Sequence, residues 1–178
     1  MIQLEGLKQI HLIGIGGIGL SAVAEILLAR GYKVTGSDMK ESELIDRLIT
    51  KGANIYLGHR SKNVEGADLV VYSSAISEDN PEIIRAKELS IKTVSRADIL
   101  GTLMGEYRHS IAVAGTHGKT TTTSMISLIL EHSGLDPTIL IGGNLTEIGG
   151  NVKVGKGDYF ITEACEYMDS FLNLKPTI

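Results

Sequence analysis

The sequence predicts an α/β protein: one complete parallel sheet with its helices, followed by the start of a second α/β sheet. Three observations lead there. Short apolar runs alternate with helix-length segments along most of the chain, the pattern of strand-helix-strand units. Two of those runs empty into glycine turns that open helices, at residues 14–19 and 115–120. The composition agrees, because 43% hydrophobic residues with only 4% aromatics and 21 glycines suit an aliphatic interior with many tight turns better than a sandwich or a disulfide scaffold.

Residues 9–15 form a near-continuous apolar run interrupted by His11, which reads as a satisfied strand histidine. The run leads into Gly14-Ile15-Gly16-Gly17-Ile18-Gly19, a G-x-G-x-x-G turn after a strand and before a helix, the setting of a Rossmann-like fold. Apolar residues at 23, 26, 27 and 28, with Gly31 as a stop, predict a helix over residues 21–30 whose N-terminus faces a pyrophosphate. A second strand over residues 33–37 ends at Asp38, which lies 19 residues after Gly19. An acid there either takes ribose hydroxyls, of NAD or of any nucleotide diphosphate, or caps the next helix.

An amphipathic helix over residues 41–51 stops at Gly52, and a short strand follows over residues 54–57. Gly58-His59-Arg60 reads as a solvated strand end. The strand over residues 68–72 empties into Ser73-Ser74, small hydroxyl residues at the carboxyl end of a parallel strand, where open α/β sheets bind ligands. Asn80-Pro81-Glu82 starts a helix with a cap, a first-turn proline and an acid favoured by the helix dipole. After a fifth strand over residues 91–94, Ser95-Arg96-Ala97-Asp98 reads as a capping box, with Arg96 a solvated first-turn residue. Five strands complete a doubly wound sheet, so the domain boundary is expected within residues 105–108.

Beyond it the apolar run over residues 111–114 meets Gly115-Thr116-His117-Gly118-Lys119-Thr120. Gly115 and Gly118 allow a tight turn in which the amides of residues 116–119 converge on an anion at a helix start. Lys119 adds a positive charge for outer phosphates, and Thr120 a hydroxyl for a phosphate-bound Mg²⁺. The general pattern G-x-x-x-x-G-K-[ST] needs a glycine where this chain has Val113, so the loop is a short one. Four successive threonines, residues 120–123, are poor helix formers, which speaks for a use other than propensity.

A helix over residues 119–132, a strand over residues 137–141 and a turn-rich excursion over residues 149–157 follow. The strand over residues 158–163 ends in Glu163, placed as a nucleotide-binding sheet places a Mg²⁺ ligand. Glu166 and Asp169 make the strand exit acidic, and Cys165 between them reads as a small packing residue.

A net charge of -4 without a basic stripe excludes a nucleic-acid binder, and the single cysteine excludes a disulfide framework. Residues 1–8 carry no long apolar core, so neither a signal peptide nor a membrane span is expected, and a reducing cytoplasm is the expected compartment. The last residues approach a further strand, and three strands give the second sheet few partners, so the chain is expected to be a fragment.

The two glycine turns, in this order and about a hundred residues apart, resemble the Mur ligase family, whose own loop is the shorter G-T-[HN]-G-K-[ST]. The stretch His11-Leu12-Ile13-Gly14-Ile15-Gly16-Gly17-Ile18-Gly19-Leu20-Ser21 is similar to its alanine-adding branch. The resemblance implies an ATP-dependent ligase of peptidoglycan synthesis, joining L-alanine to UDP-N-acetylmuramate through an acyl phosphate. It implies a UDP-sugar domain over residues 1–106, using Gly16, Gly17, Ile18, Gly19, Asp38, Ser73 and Ser74. Residues 107–178 would begin the ATP domain, binding through Gly115, Thr116, His117, Gly118, Lys119, Thr120 and Thr121. Lys119 would bridge the β and γ phosphates while Thr120 and Glu163 hold Mg²⁺, these three carrying the catalytic roles. The family's acidic segment more often reads Glu-Ala-Asp-Glu-Ser-Asp, whereas this chain has Glu163-Ala164-Cys165-Glu166-Tyr167-Met168, which leaves the third position without its carboxylate.

The family's later parts, including most of the L-alanine site, would lie beyond Ile178, so this chain alone is expected to bind the UDP-sugar without forming the amide. From the residues alone two other readings stay open. The first turn and Asp38 also fit an NAD-dependent oxidoreductase, in which residues 115–120 have no task. A non-catalytic nucleotide-sensing module would use both turns.

Overall fold

The computed structural model describes residues 2–164 and 171–178, and these divide into two compact units. One is Gln3–Ile99; the other is Leu100–Ile178 with the first two residues of the chain. The division falls inside a helix, α4, at Arg96–Gly105, a few residues before the boundary expected from the sequence.

The unit Gln3–Ile99 holds five parallel strands: β1 (Gln9–Ile13), β2 (Lys33–Asp38), β3 (Asn54–Leu57), β4 (Leu69–Tyr72) and β5 (Lys92–Ser95). Their order is β3-β2-β1-β4-β5, so the chain runs outward on one side from β1 and resumes on the other at β4. This reversal beside β1 is the switch point at which doubly wound sheets bind ligands. His11, Ile13, Val70 and Tyr72 share one face by register, and Ile13 and Val70 pack there with Val64, Ala67, Ile83 and Ala86. Ile10, Leu12, Leu69 and Val71 on the other face are equally buried, which explains why the central strands read as unbroken apolar runs.

Three helices connect these strands. Helix α1 (Ile18–Ala29) is buried along residues 20–27 and starts three residues earlier than its periodicity predicts, because Gly17 in the turn is its N-cap. Helix α2 (Glu43–Thr50) is capped by Ser42, whose side chain accepts from the Ile45 amide. Its Arg47, with Lys51 just beyond, pairs with the buried Glu25 of α1. Helix α3 (Pro81–Glu88) has Asn80 as its cap and Pro81 in its first turn, as the sequence predicts. Ser95 and Asp98 cap the start of α4 reciprocally, the Asp98 amide donating to Ser95 Oγ and the Ser95 amide to the Asp98 carboxylate.

In the second unit β6 (His109–Val113), β7 (Thr138–Leu145), β8 (Gly150–Lys153) and β9 (Tyr159–Glu163) form a sheet of order β6-β9-β7-β8. The β6–β9 and β7–β9 pairings are parallel, and β8 runs antiparallel to β7 as a hairpin within the turn-rich excursion. Helix α5 (Lys119–His132) lays Ile126 and Leu130 over Ile139, Ile141 and Ile161. Residues 177–178 bond to β6, the Ile178 amide donating to the Ser110 carbonyl at 3.0 Å and the Ala112 amide to the Ile178 carbonyl at 3.1 Å. No helix among the described residues is long and apolar enough to cross a membrane.

Candidate functional site

The first glycine turn is held from below by β2. The Gly14 and Ile15 amides donate to the Ser37 carbonyl at 2.8 and 3.1 Å, and the Gly17 amide closes the turn on the Gly14 carbonyl at 3.2 Å. Gly14 needs its glycine, since its φ is +82°. Gly16 needs its own for space: a Cβ there would stand 2.9 Å from Asp38 Oδ2 and 3.1 Å from Ile45 Cδ1.

Asp38 is a clasp on this turn. Its Oδ2 accepts from the Gly16 amide at 2.9 Å and its Oδ1 from the Lys40 amide at 3.3 Å, while Ser42 takes the helix-capping task left open for it. Ser73 lies beside the turn, with its amide on the Ile13 carbonyl at 3.2 Å and its Cβ 3.4 Å from where a Cβ on Gly14 would be. Gly14, Gly16, Asp38 and Ser73 are thus brought together, with Gly17, Ile18 and Gly19 continuing the turn into α1; Ser74 is exposed beyond Ser73.

Two features escaped the sequence reading. Arg96, expected to be a solvated first-turn residue, reaches the α1 start: a Cβ on Gly19 would be 3.0 Å from Arg96 Nη1 and 3.3 Å from its Cζ. Its place at the carboxyl end of β5, on the ligand edge of the sheet, was the available signal. Glu82, read from the sequence only as a first-turn acid favoured by the helix dipole, is fully buried at the centre of a polar cluster. Its carboxylate accepts from Ser37 Oγ at 2.5 Å, Asn63 Nδ2 at 2.6 Å and the Arg60 amide at 3.2 Å.

His11 Nε2 and His59 Nδ1 each stand 3.5 Å from Glu82 Oε2. His59 is therefore drawn into the cluster instead of lying in a solvated loop, and His11 turns its Nδ1 to Thr35 Oγ1 at 2.9 Å. Burial pushes the Glu82 carboxyl up, but the nearby His11 ring and the hydrogen bonds from Ser37 and Asn63 outweigh it and hold the group below its ordinary value. The cluster ties β1, β2 and the residues after β3 to the N-terminus of α3, directly behind the clasp.

The second turn sits where β6 meets β9. Val113 pairs with Glu163, so the loop leaving β6 begins beside that carboxylate. Gly115 (φ +148°) and Gly118 (φ +78°) adopt conformations that only glycine takes easily, and Gly118 is the N-cap of α5 without a side-chain cap. The α5 amides at this end are thus available to an anion. Thr116, His117, Thr120 and Thr121 are exposed on the turn, and Lys119 Nζ donates back to the Gly115 carbonyl at 2.6 Å. Thr123 is spent inside the helix, donating to the Lys119 carbonyl at 2.8 Å.

Glu163 Oε1 accepts from the Gly142 amide at 2.8 Å. The next residue, Gly143, lies against Thr120, whose Cγ2 would be 3.3 Å from a Cβ placed there. Lys119, Thr120 and Glu163 are therefore gathered at one end of the sheet. No group of three or more His, Cys, Asp or Glu that could hold a metal occurs among the described residues. One carboxylate and one hydroxyl are hard oxygen donors that fit Mg²⁺ shared with phosphate and water, not an all-protein cage. Cys165, Glu166 and Asp169, with the departure from the family's acidic segment, lie outside the described residues.

Residues 9–108 match the model described as "Mur ligase family, catalytic domain". The UDP-N-acetylmuramate--L-alanine ligase of Alkaliphilus metalliredigens (strain QYMF) is 61% identical over 172 residues, covering 97% of this chain and 37% of that protein. Among solved structures, the UDP-N-acetylmuramate-alanine ligase of Thermotoga maritima superposes with a TM-score of 0.87 at 37% identity, over 96% of this chain and 40% of its own. A murein peptide ligase from Psychrobacter arcticus gives 0.86 at 30% identity, over 96% and 42%. The chain spans little more than a third of the length of the curated relatives it matches. With a family model matched over more than half its residues, the chain belongs to the Mur ligase family.

Proposed function

We propose that this chain supplies the UDP-sugar end and the ATP-phosphate end of a cytoplasmic ligase that joins L-alanine to UDP-N-acetylmuramate in peptidoglycan synthesis. The observation that carries the reading is the second turn: a phosphate cradle opening α5, with Lys119 in it and Glu163 registered beside its start. An oxidoreductase has no use for that arrangement. Among the solved structures, the greater identity to an alanine ligase (37%) than to a murein peptide ligase (30%) favours the alanine-adding branch.

In this reading residues 1–106 form the UDP-sugar domain and residues 107–178 the first part of the ATP domain. Gly16, Gly17, Ile18 and Gly19 cradle the UDP diphosphate at the start of α1, where the helix N-terminus favours an anion, and Arg96 adds a positive charge beside Gly19. Asp38 and the strand end at Ser73-Ser74 complete the UDP-sugar site. At the second turn Gly115, Thr116, His117, Gly118 and Thr121 surround the ATP phosphates.

The chemistry follows from a carboxylate's inability to lose oxide to an amine. The muramyl carboxylate attacks the γ-phosphorus, ADP leaves, and the acyl phosphate is then attacked by the amine of L-alanine with loss of phosphate. Lys119 leaves the Gly115 carbonyl to neutralise charge spread over the transferring phosphoryl oxygens. Mg²⁺, held by Thr120 and Glu163, supplies further charge stabilisation when bound. No side chain has to act as a nucleophile.

The test is equilibrium binding of ATP with Mg²⁺ to this chain and to Lys119→Ala. Saturable binding that the substitution weakens at least tenfold, about 1.4 kcal/mol, is expected. Binding that is absent, or unchanged in the variant, contradicts the role given to this turn.

A further inference from the structure

We propose that Gly142 and Gly143 of β7 are positioning residues that set the Glu163 carboxylate and the Thr120 hydroxyl for the cation, an inference resting on the function proposed above. Neither glycine is required by the backbone. Both fall outside the residues with positive φ, so any amino acid could adopt their conformation. A pair of glycines inside a strand weakens it, and a close approach by another group is the usual reason for keeping them.

The close approach is visible for both. A Cβ on Gly142 would stand 3.2 and 3.3 Å from the two Glu163 carboxylate oxygens, and one on Gly143 would stand 3.3 Å from Thr120 Cγ2. These are tight contacts with side-chain ends, not with backbone, so a methyl group would move the Glu163 carboxylate, or turn the Thr120 side chain that carries the hydroxyl, by a few tenths of an ångström and leave the sheet alone. The register explains why the contact exists. The β7–β9 ladder ends at the Leu140–Thr162 pair, and beyond it the Gly142 amide donates to Glu163 Oε1. That charge-assisted bond occupies one carboxylate oxygen and fixes the carboxylate's plane, leaving the other oxygen for a cation. Consecutive residues of one strand thereby place a carboxylate from β9 and a hydroxyl from α5 at a constant spacing.

The experiment uses this chain, the non-hydrolysable analogue AMP-PNP and Mg²⁺. The apparent Mg²⁺ affinity is read at fixed nucleotide, the nucleotide affinity is read again in EDTA, and melting curves are recorded throughout. Partners of metal ligands are typically worth 10–100-fold in metal affinity, so Gly142→Ala is expected to weaken Mg²⁺ at least tenfold. Its affinity for nucleotide in EDTA and its melting temperature stay near those of the wild type. Gly143→Ala shifts Mg²⁺ in the same direction. In a Glu163→Ala background Gly142→Ala adds nothing further, because the group it displaces is gone.

Wild-type Mg²⁺ affinity in Gly142→Ala would overturn the inference, as would a penalty that adds in full to that of Glu163→Ala. Loss of a cooperative melt in Gly142→Ala would also overturn it, since the glycine would then serve the strand. A wild-type chain that binds AMP-PNP with no Mg²⁺ dependence removes the functional reading itself and this inference with it.

Discussion

At the scale of single residues the Glu82 cluster makes the strongest commitment. A carboxylate with no exposure, accepting from Ser37, Asn63 and the Arg60 amide, has donors that would be orphaned by its removal. Glu82→Ala is expected to cost about 3 kcal/mol at neutral pH, the usual scale for breaking a buried charged network from one side, as measured by urea denaturation. The sign with pH follows from the lowered carboxyl pKa in the folded chain. The stabilisation is fully present above the ordinary glutamate range and is lost as pH falls below about 4.3. Stability of the wild type therefore drops in that acid window by an amount that Glu82→Ala does not show. Equal acid profiles for the two proteins would contradict the cluster's role. None of this was legible in the sequence, where Asn80-Pro81-Glu82 carried only a local helix-start signal. What buries Glu82 comes from residues 45, 22 and 19 positions away.

At the scale of elements, turns joined to helices do most of the work. The α1 turn is built so that Asp38, Ile45 and Arg96 all close on glycines lacking a Cβ. Gly19→Ala pushes the Arg96 guanidinium away from the helix start, and UDP-sugar affinity is expected to fall about tenfold, near 1.4 kcal/mol, with little change in melting temperature. Unchanged affinity in that variant would remove Arg96 from the diphosphate site. The strands and both glycine turns were legible because their signals are local: apolar period, a glycine at a forced φ, a lysine at a helix start. The α1 start was missed because glycines at residues 16, 17 and 19 carry no apolar period. The extension of β7 through Gly142-Gly143 was missed because glycines read as a stop. Their reason, room for Glu163 and Thr120, depends on strands distant in sequence.

At the scale of the whole molecule, the chain is two compact units, each with one glycine turn that leads from a parallel strand into a helix. That duplication is what ties composition, fold and family together. An oxidoreductase needs only the first turn, whereas a ligase that activates a carboxylate needs a nucleotide-sugar in one place and a phosphoryl donor in another. The central claim is that the first turn takes a UDP-sugar. Calorimetric titration of this chain with UDP-N-acetylmuramate, with NADH and UDP-N-acetylglucosamine as controls, tests it most directly. Saturable heat with the muramate sugar and none with NADH is the predicted result; heat with NADH alone would contradict the account and return the first turn to dinucleotide chemistry.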